Sequence, residues 1–80
     1  MNKDDLINKV AAKYAEELDM NSLVSAGKKG WSLAEEKFGS SDAKFETYAL
    51  WWVRAAIIER ITGVSIPKIA EIEKLIEEQV

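Results

Sequence analysis

Phe45-Glu46-Thr47-Tyr48-Ala49-Leu50-Trp51-Trp52-Val53-Arg54-Ala55-Ala56-Ile57-Ile58-Glu59-Arg60-Ile61-Thr62-Gly63 is the stretch whose reading decides the fold. Its apolar residues recur at three and four, and Gly63 stands where a left-handed helix cap is favoured. The spacing therefore predicts one helix over about Phe45 to Thr62. At ~100° per residue, Phe45, Ala49, Trp52 and Ala56 share one face, and Tyr48, Trp51, Ala55 and Ile58 share another about a quarter-turn or more away. A lone helix of a small domain rarely needs two such faces. The first is naturally core, whereas the second sets a tyrosine and a tryptophan where partial exposure is expected.

Outward from this helix the same period continues. Downstream, Ser65 is a capping residue, Pro67 sits in a first turn, and Ile66, Ile69, Ile72, Leu75 and Ile76 form an apolar stripe, which predicts an amphipathic helix over about 65 to 79. Upstream, Gly39-Ser40-Ser41-Asp42 reads as a loop of small polar residues. Before it, Leu23, Val24, Trp31, Leu33, Ala34 and Phe38 predict a helix capped by Asn21 or Ser22. Gly27 and Gly30 interrupt that helix at roughly 1 kcal/mol each relative to alanine, so a neighbouring helix is expected to pack closely there. A first helix is predicted from about Asp4 to Asp19, opened by Asp4 and Asp5 and carrying the stripe Leu6, Val10, Ala11, Tyr14 and Leu18. The fold class is all-α: a compact bundle of about four helices forming a single domain over residues 1–80.

Composition narrows the function. The 80 residues contain no cysteine and no histidine, which removes disulfides, thiolate nucleophiles, the usual zinc sites and the commonest general base. Glu35 and Glu36 are adjacent, so on a helix they point about 100° apart and make no paired-carboxylate site. With no nucleophile beside a base, an enzyme is not expected, nor a catalytic residue, metal, cofactor or small-molecule substrate. No signal peptide is recognisable and no apolar run approaches the ~20 residues of a membrane span, so a cytoplasmic location is expected and no membrane partner. The net charge of −3 argues against unaided binding of duplex DNA, where phosphate neutralisation supplies most of the affinity. The last ten residues alone hold four glutamates against Lys74.

Tyr48 and Trp51, with Lys44 and Arg54 as nearby cations, meet a different requirement. Every base offers a flat face, and its stacking on an aromatic ring is worth roughly 1–3 kcal/mol. Aromatics at helical spacing are nevertheless more often core, and periodicity alone does not decide between the two.

The residues themselves resemble a family. Lys44 followed by Phe45 to Ile57 is similar to the promoter-melting helix of housekeeping sigma factors, with its Lys-Phe-Ser-Thr-Tyr-Ala-Thr-Trp-Trp-Ile-Arg-Gln-Ala-Ile pattern. Leu23-Val24-Ser25-Ala26-Gly27-Lys28-Lys29-Gly30-Trp31 and Ala34-Glu35-Glu36-Lys37-Phe38 resemble that family's Leu-Ile-Gln-Glu-Gly-Asn-Ile-Gly-Leu and Ala-Val-Glu-Lys-Phe segments, with both glycines in register. The likeness to region two of the sigma-70 family covers roughly residues 5 to 62 and fades after Thr62, where an acidic amphipathic helix takes over.

The resemblance implies a binding protein with two partners, RNA polymerase core and single-stranded promoter DNA. Tyr48 with Phe38 would line the pocket for the flipped adenine of the minus-ten element, and Thr47 would contact that base. Trp51, supported by Trp52, would be the wedge at the upstream edge of the bubble, and Lys44 and Arg54 would meet phosphates. Ser22, Leu23, Ser25, Ala26 and Lys28 match the positions that meet the coiled coil of the polymerase largest subunit. The acidic and amide-rich set usual there is missing, which weakens steering toward that partner while leaving packing through Leu23. Ala55 replaces a common glutamine, and Ile58 and Glu59 replace polar and basic residues, so hydrogen-bonded reading of the first minus-ten base pair is lost. A second polypeptide carrying the other sigma domains is a further candidate partner, because 80 residues leave no room for them. Two rival readings stand beside this one: a helical protein–protein interaction module that keeps the scaffold but not DNA handling, and a redesigned domain in which family residues survive as packing.

Overall fold

The computed structural model describes residues 2–38 and 44–78, with the side chains of 75–78 left out. Four helices follow one another: α1 Lys3–Ala12, α2 Met20–Lys37, α3 Phe45–Thr62 and α4 Ile66–Glu78. The third packs against each of the other three, and α1 also packs on α2. The loop expected at Gly39-Ser40-Ser41-Asp42 lies outside the described residues, as do Gln79 and the side chains of Leu75 and Ile76.

The bundle is pinned by Ile7 of α1, Leu23 of α2, and Val53 and Ile57 of α3, all fully buried. Burying each such side chain contributes roughly 1.5–3 kcal/mol relative to leaving it in water. The two α2 glycines make this approach feasible. A methyl group at Gly30 would overlap the Trp52 carbonyl and lie 2.8 Å from Val53 Cα, so the backbones of α2 and α3 meet there. At Gly27 it would lie 2.7 Å from Ile7 Cγ2 and 3.3 Å from Val53 Cγ1, where three helices converge. Close helix-on-helix contact is the reason for both.

The helix ends depart from the sequence expectation at one place. α1 stops at Ala12 rather than continuing to Asp19, and the chain tightens into turns whose amides bond three residues back: Lys13 N–H to Val10 O at 3.1 Å, Tyr14 to Ala11 at 3.0 Å, Glu17 to Tyr14 at 2.9 Å. Asp19 sets the furthest point that α1 could reach. It is the N-cap of α2, with extended backbone (φ −64°, ψ 149°), so the first helix has to end before it. Its carboxylate accepts both the Ser22 amide at 3.0 Å and the Ser22 hydroxyl at 2.9 Å, and those bonds hold its pKa below the ordinary aspartate value. Asn21 and Ser22, expected as caps, stand in the first turn instead. At the other end of the chain, α3 occupies the expected span and closes at Gly63 (φ 78°), whose amide reaches Glu59 O at 2.8 Å.

α4 lies along α3. Ile66 and Ile69 are buried, and Ile66 joins Ala55 and Ala56 in a second small cluster with Leu33, Trp51 and Trp52 at its edge. Among the described residues no helix is long and apolar enough to cross a membrane.

Candidate nucleic-acid interface

One face of α3 and the end of α2 bring the aromatic residues together. Phe38 meets Phe45 edge-on at 5.1 Å between ring centroids and Tyr48 at 5.3 Å; Tyr48 lies 6.3 Å from Trp52, and Trp52 lies 5.3 Å from Trp51, nearly perpendicular. These spacings fall in the range where aromatic pairs attract. The five rings form a continuous run over the α2–α3 surface. None of them is fully buried: Phe38, Phe45, Tyr48, Trp51 and Trp52 are all half-buried. Helical geometry accounts for the run, since Trp51 and Trp52 follow Tyr48 by three and four positions, so both stand one turn beyond it.

The remaining expected strand-binding residues flank this run. Thr47 is exposed on the first turn of α3, and Lys44 is exposed at the N-cap, where its side chain makes no capping bond. Arg54 sits one turn beyond Trp51. Its guanidinium is paired with Glu73 of α4, and the same carboxylate accepts the Trp51 indole N–H at 2.8 Å.

The expected polymerase-docking set divides. Ser25 and Lys28 are exposed and Ser22 is half-buried, with its amide and hydroxyl occupied by Asp19. Leu23, at 0% exposure, and Ala26 belong to the core. Packing of a partner through Leu23 is therefore corrected: its side chain is spent on holding α2 to its neighbours.

Between α2, α3 and α4 opens a groove of about 370 Å³, lined by Trp51, Trp52, Leu33 and Pro67 together with the charged residues Lys29, Lys37 and Glu59. Its size and apolar lining suit a flat, largely apolar group. Lys29 and Lys37 were not among the residues singled out from sequence. The spacing Lys29, Leu33, Lys37, four and four on one helix face, was the signal that could have found them. Glu73 was also missed, and here no local signal exists, because 22 residues separate it from Trp51.

Comparison with known proteins fits this arrangement. The chain is 41% identical over 58 residues to RNA polymerase sigma factor SigA of Mycoplasma genitalium, a match covering 70% of this chain and 12% of that protein. It is 39% identical over 62 residues to SigA of Nostoc and to SigA1 of Synechococcus elongatus, covering 75% of this chain and 16% of each relative. The similarity is consistent with a partial sigma-70 family region. No protein-family model and no solved structure matches the chain. The chain thus spans only 12 to 16% of the length of these sigma factors.

The residues at which the sigma-70 pattern is broken have a structural role in this chain. Ala55, at 1% exposure, lies in the cluster with Ile66, and the Glu59 carboxylate accepts the Ile66 amide at 3.3 Å while pairing with Lys29 at 3.6 Å. They form the seat of α4.

Proposed function

We propose that this chain is a sigma-region-2-like transcription initiation factor or cofactor, non-enzymatic, that binds RNA polymerase core and holds the non-template strand of the promoter minus-ten element. The observation that carries the reading is the half-exposed aromatic run from Phe38 through Tyr48 and Trp52 to Trp51, with Lys44 at its head. In this mechanism Tyr48 and Phe38 receive the unpaired adenine, Thr47 contacts it, Trp51 backed by Trp52 caps the last paired step, and Lys44 and Arg54 meet phosphates. Recognition of this kind captures a base already out of the stack, which requires flat rings and few cations rather than a strongly basic groove. The acidic balance of the chain supports the same view, since it disfavours duplex and leaves the polymerase to supply additional affinity.

Binding by fluorescence anisotropy tests the reading. A minus-ten oligonucleotide of non-template sense is offered single-stranded and as a duplex, first without and then with polymerase core. The expected result is weak binding of the single strand, weaker still of the duplex, and tightening when core is added. Equal binding of both forms, unchanged by core, would contradict it.

A second reading is favoured by one observation, the engagement of Trp51 and Arg54 by Glu73. If those contacts persist in every complex, the chain is a helical protein–protein interaction module in which the sigma-70 residues serve as packing. Its signature would be capture by polymerase core with no preference for any strand.

A further inference from the structure

The C-terminal helix packs against the part of α3 that carries Trp51, Arg54 and Ala55. Ile66 occupies the space above Ala55, and two turns later Glu73 reaches back to α3. Its carboxylate accepts the Trp51 indole N–H and pairs with the Arg54 guanidinium, two donors one turn apart on a single face. Such a pair of donors suits a phosphate oxygen as well as it suits a carboxylate oxygen. Glu73 therefore presents the anionic group that a DNA backbone would bring, and a phosphate entering beside it would meet an uncompensated like charge.

We propose that Glu73 is a built-in competitor for a strand phosphate and that α4 is a displaceable cover over Trp51 and Arg54, an inference that rests on the strand-binding reading above. Among the described side chains of α4, Ile66 and Ile69 in the first turns are buried and anchor the cover, whereas Ile72 is 43% exposed. The holding contact is itself weak enough to be exchanged. The side chains of Arg54 and Glu73 remain 42% and 29% exposed, so water and salt screen their attraction. When a strand takes Arg54 and Trp51, the far half of α4 loses its polar tether and swings away while Ile66 stays seated. The departures from the sigma-70 pattern at Ala55 and Glu59 belong to the same device, since they build the seat.

Affinity of the full chain for a single-stranded minus-ten oligonucleotide is compared for wild type, Glu73→Gln, Glu73→Ala and Glu71→Gln. The last is the charge control: Glu71 is exposed on α4, 3.5 Å from Lys68, and touches neither Trp51 nor Arg54. Both Glu73 variants should tighten binding roughly five- to tenfold and Glu71→Gln less than about twofold, with helix content unchanged by circular dichroism. Hydrogen exchange should show amides of α4 losing protection when wild type binds the strand. Equal gains from the Glu71 and Glu73 variants would overturn the proposal in favour of bulk charge. Wild-type binding that Glu73 variants do not improve, or that leaves α4 protection unchanged, would overturn it directly and leave the strand-binding reading standing. No binding by any of the four proteins would overturn that reading and the cover with it.

Discussion

Gly30 shows how much of this fold depends on the absence of a single carbon atom. A β-carbon there meets backbone, the Trp52 carbonyl and Val53 Cα, and backbone in the middle of a packed helix has nowhere to go. Gly30→Ala is expected to destabilise the chain by about 1–3 kcal/mol even though alanine is the better helix former. Gly27→Ala meets the side chains of Ile7 and Val53 instead, which can shift, so its cost should be the smaller of the two. Urea denaturation of both variants checks the order. The glycines were legible as a close approach from sequence, because a helix tolerates two such residues only where something compensates. Which atoms they admit was not legible, since the partner residues lie 20 and more positions away along the chain.

Helix boundaries follow from competition among local groups, and this is where the sequence was least readable. Asp19, Asn21 and Ser22 are all capping residues within four positions; Asp19 prevails because its carboxylate can bond the Ser22 amide and hydroxyl together. That choice bounds α1, for which no glycine or proline gave warning. It also makes a pH prediction. The folded-state pKa of Asp19 is lowered, chiefly by the Ser22 amide, then by the Ser22 hydroxyl, so its contribution to stability is fully present above the unfolded-state pKa and is lost as pH falls through the folded one. Asp19→Asn, which keeps a capping oxygen but no charge, is expected to reduce the loss of stability between neutral and strongly acidic solution, as read from urea midpoints at each pH. α4 poses the opposite case. Its period announced an amphipathic helix correctly, yet an apolar stripe says nothing about where it docks. With burial confined to Ile66 and Ile69 among its described side chains, α4 should be the least protected helix in native-state hydrogen exchange, well below α3.

Taken together, the four helices make a bundle of an acidic chain that resembles part of the sigma-70 factors, and the charge balance sets how it can meet nucleic acid. With Lys44 and Arg54 as the proposed phosphate contacts, neutralising about two phosphates of a single strand corresponds to a slope near −1.4 in log affinity against log salt. A slope several times steeper would mean that cations elsewhere carry the binding. The helical class and the aromatic run could be read from residue spacing and resemblance, because both arise within short stretches of chain. The covering of Trp51 by Glu73 could not, because it depends on how α4 folds back. The central claim is that the rings of Tyr48 and Trp51 stack on bases at the edge of the opened minus-ten element, and a fluorescence titration of wild type, Tyr48→Ala and Trp51→Ala with the single-stranded minus-ten oligonucleotide measures it most directly. Each substitution should cost about 1–3 kcal/mol of binding, roughly five- to hundredfold in affinity, while the helical signal is retained. Three proteins of equal affinity would contradict the account.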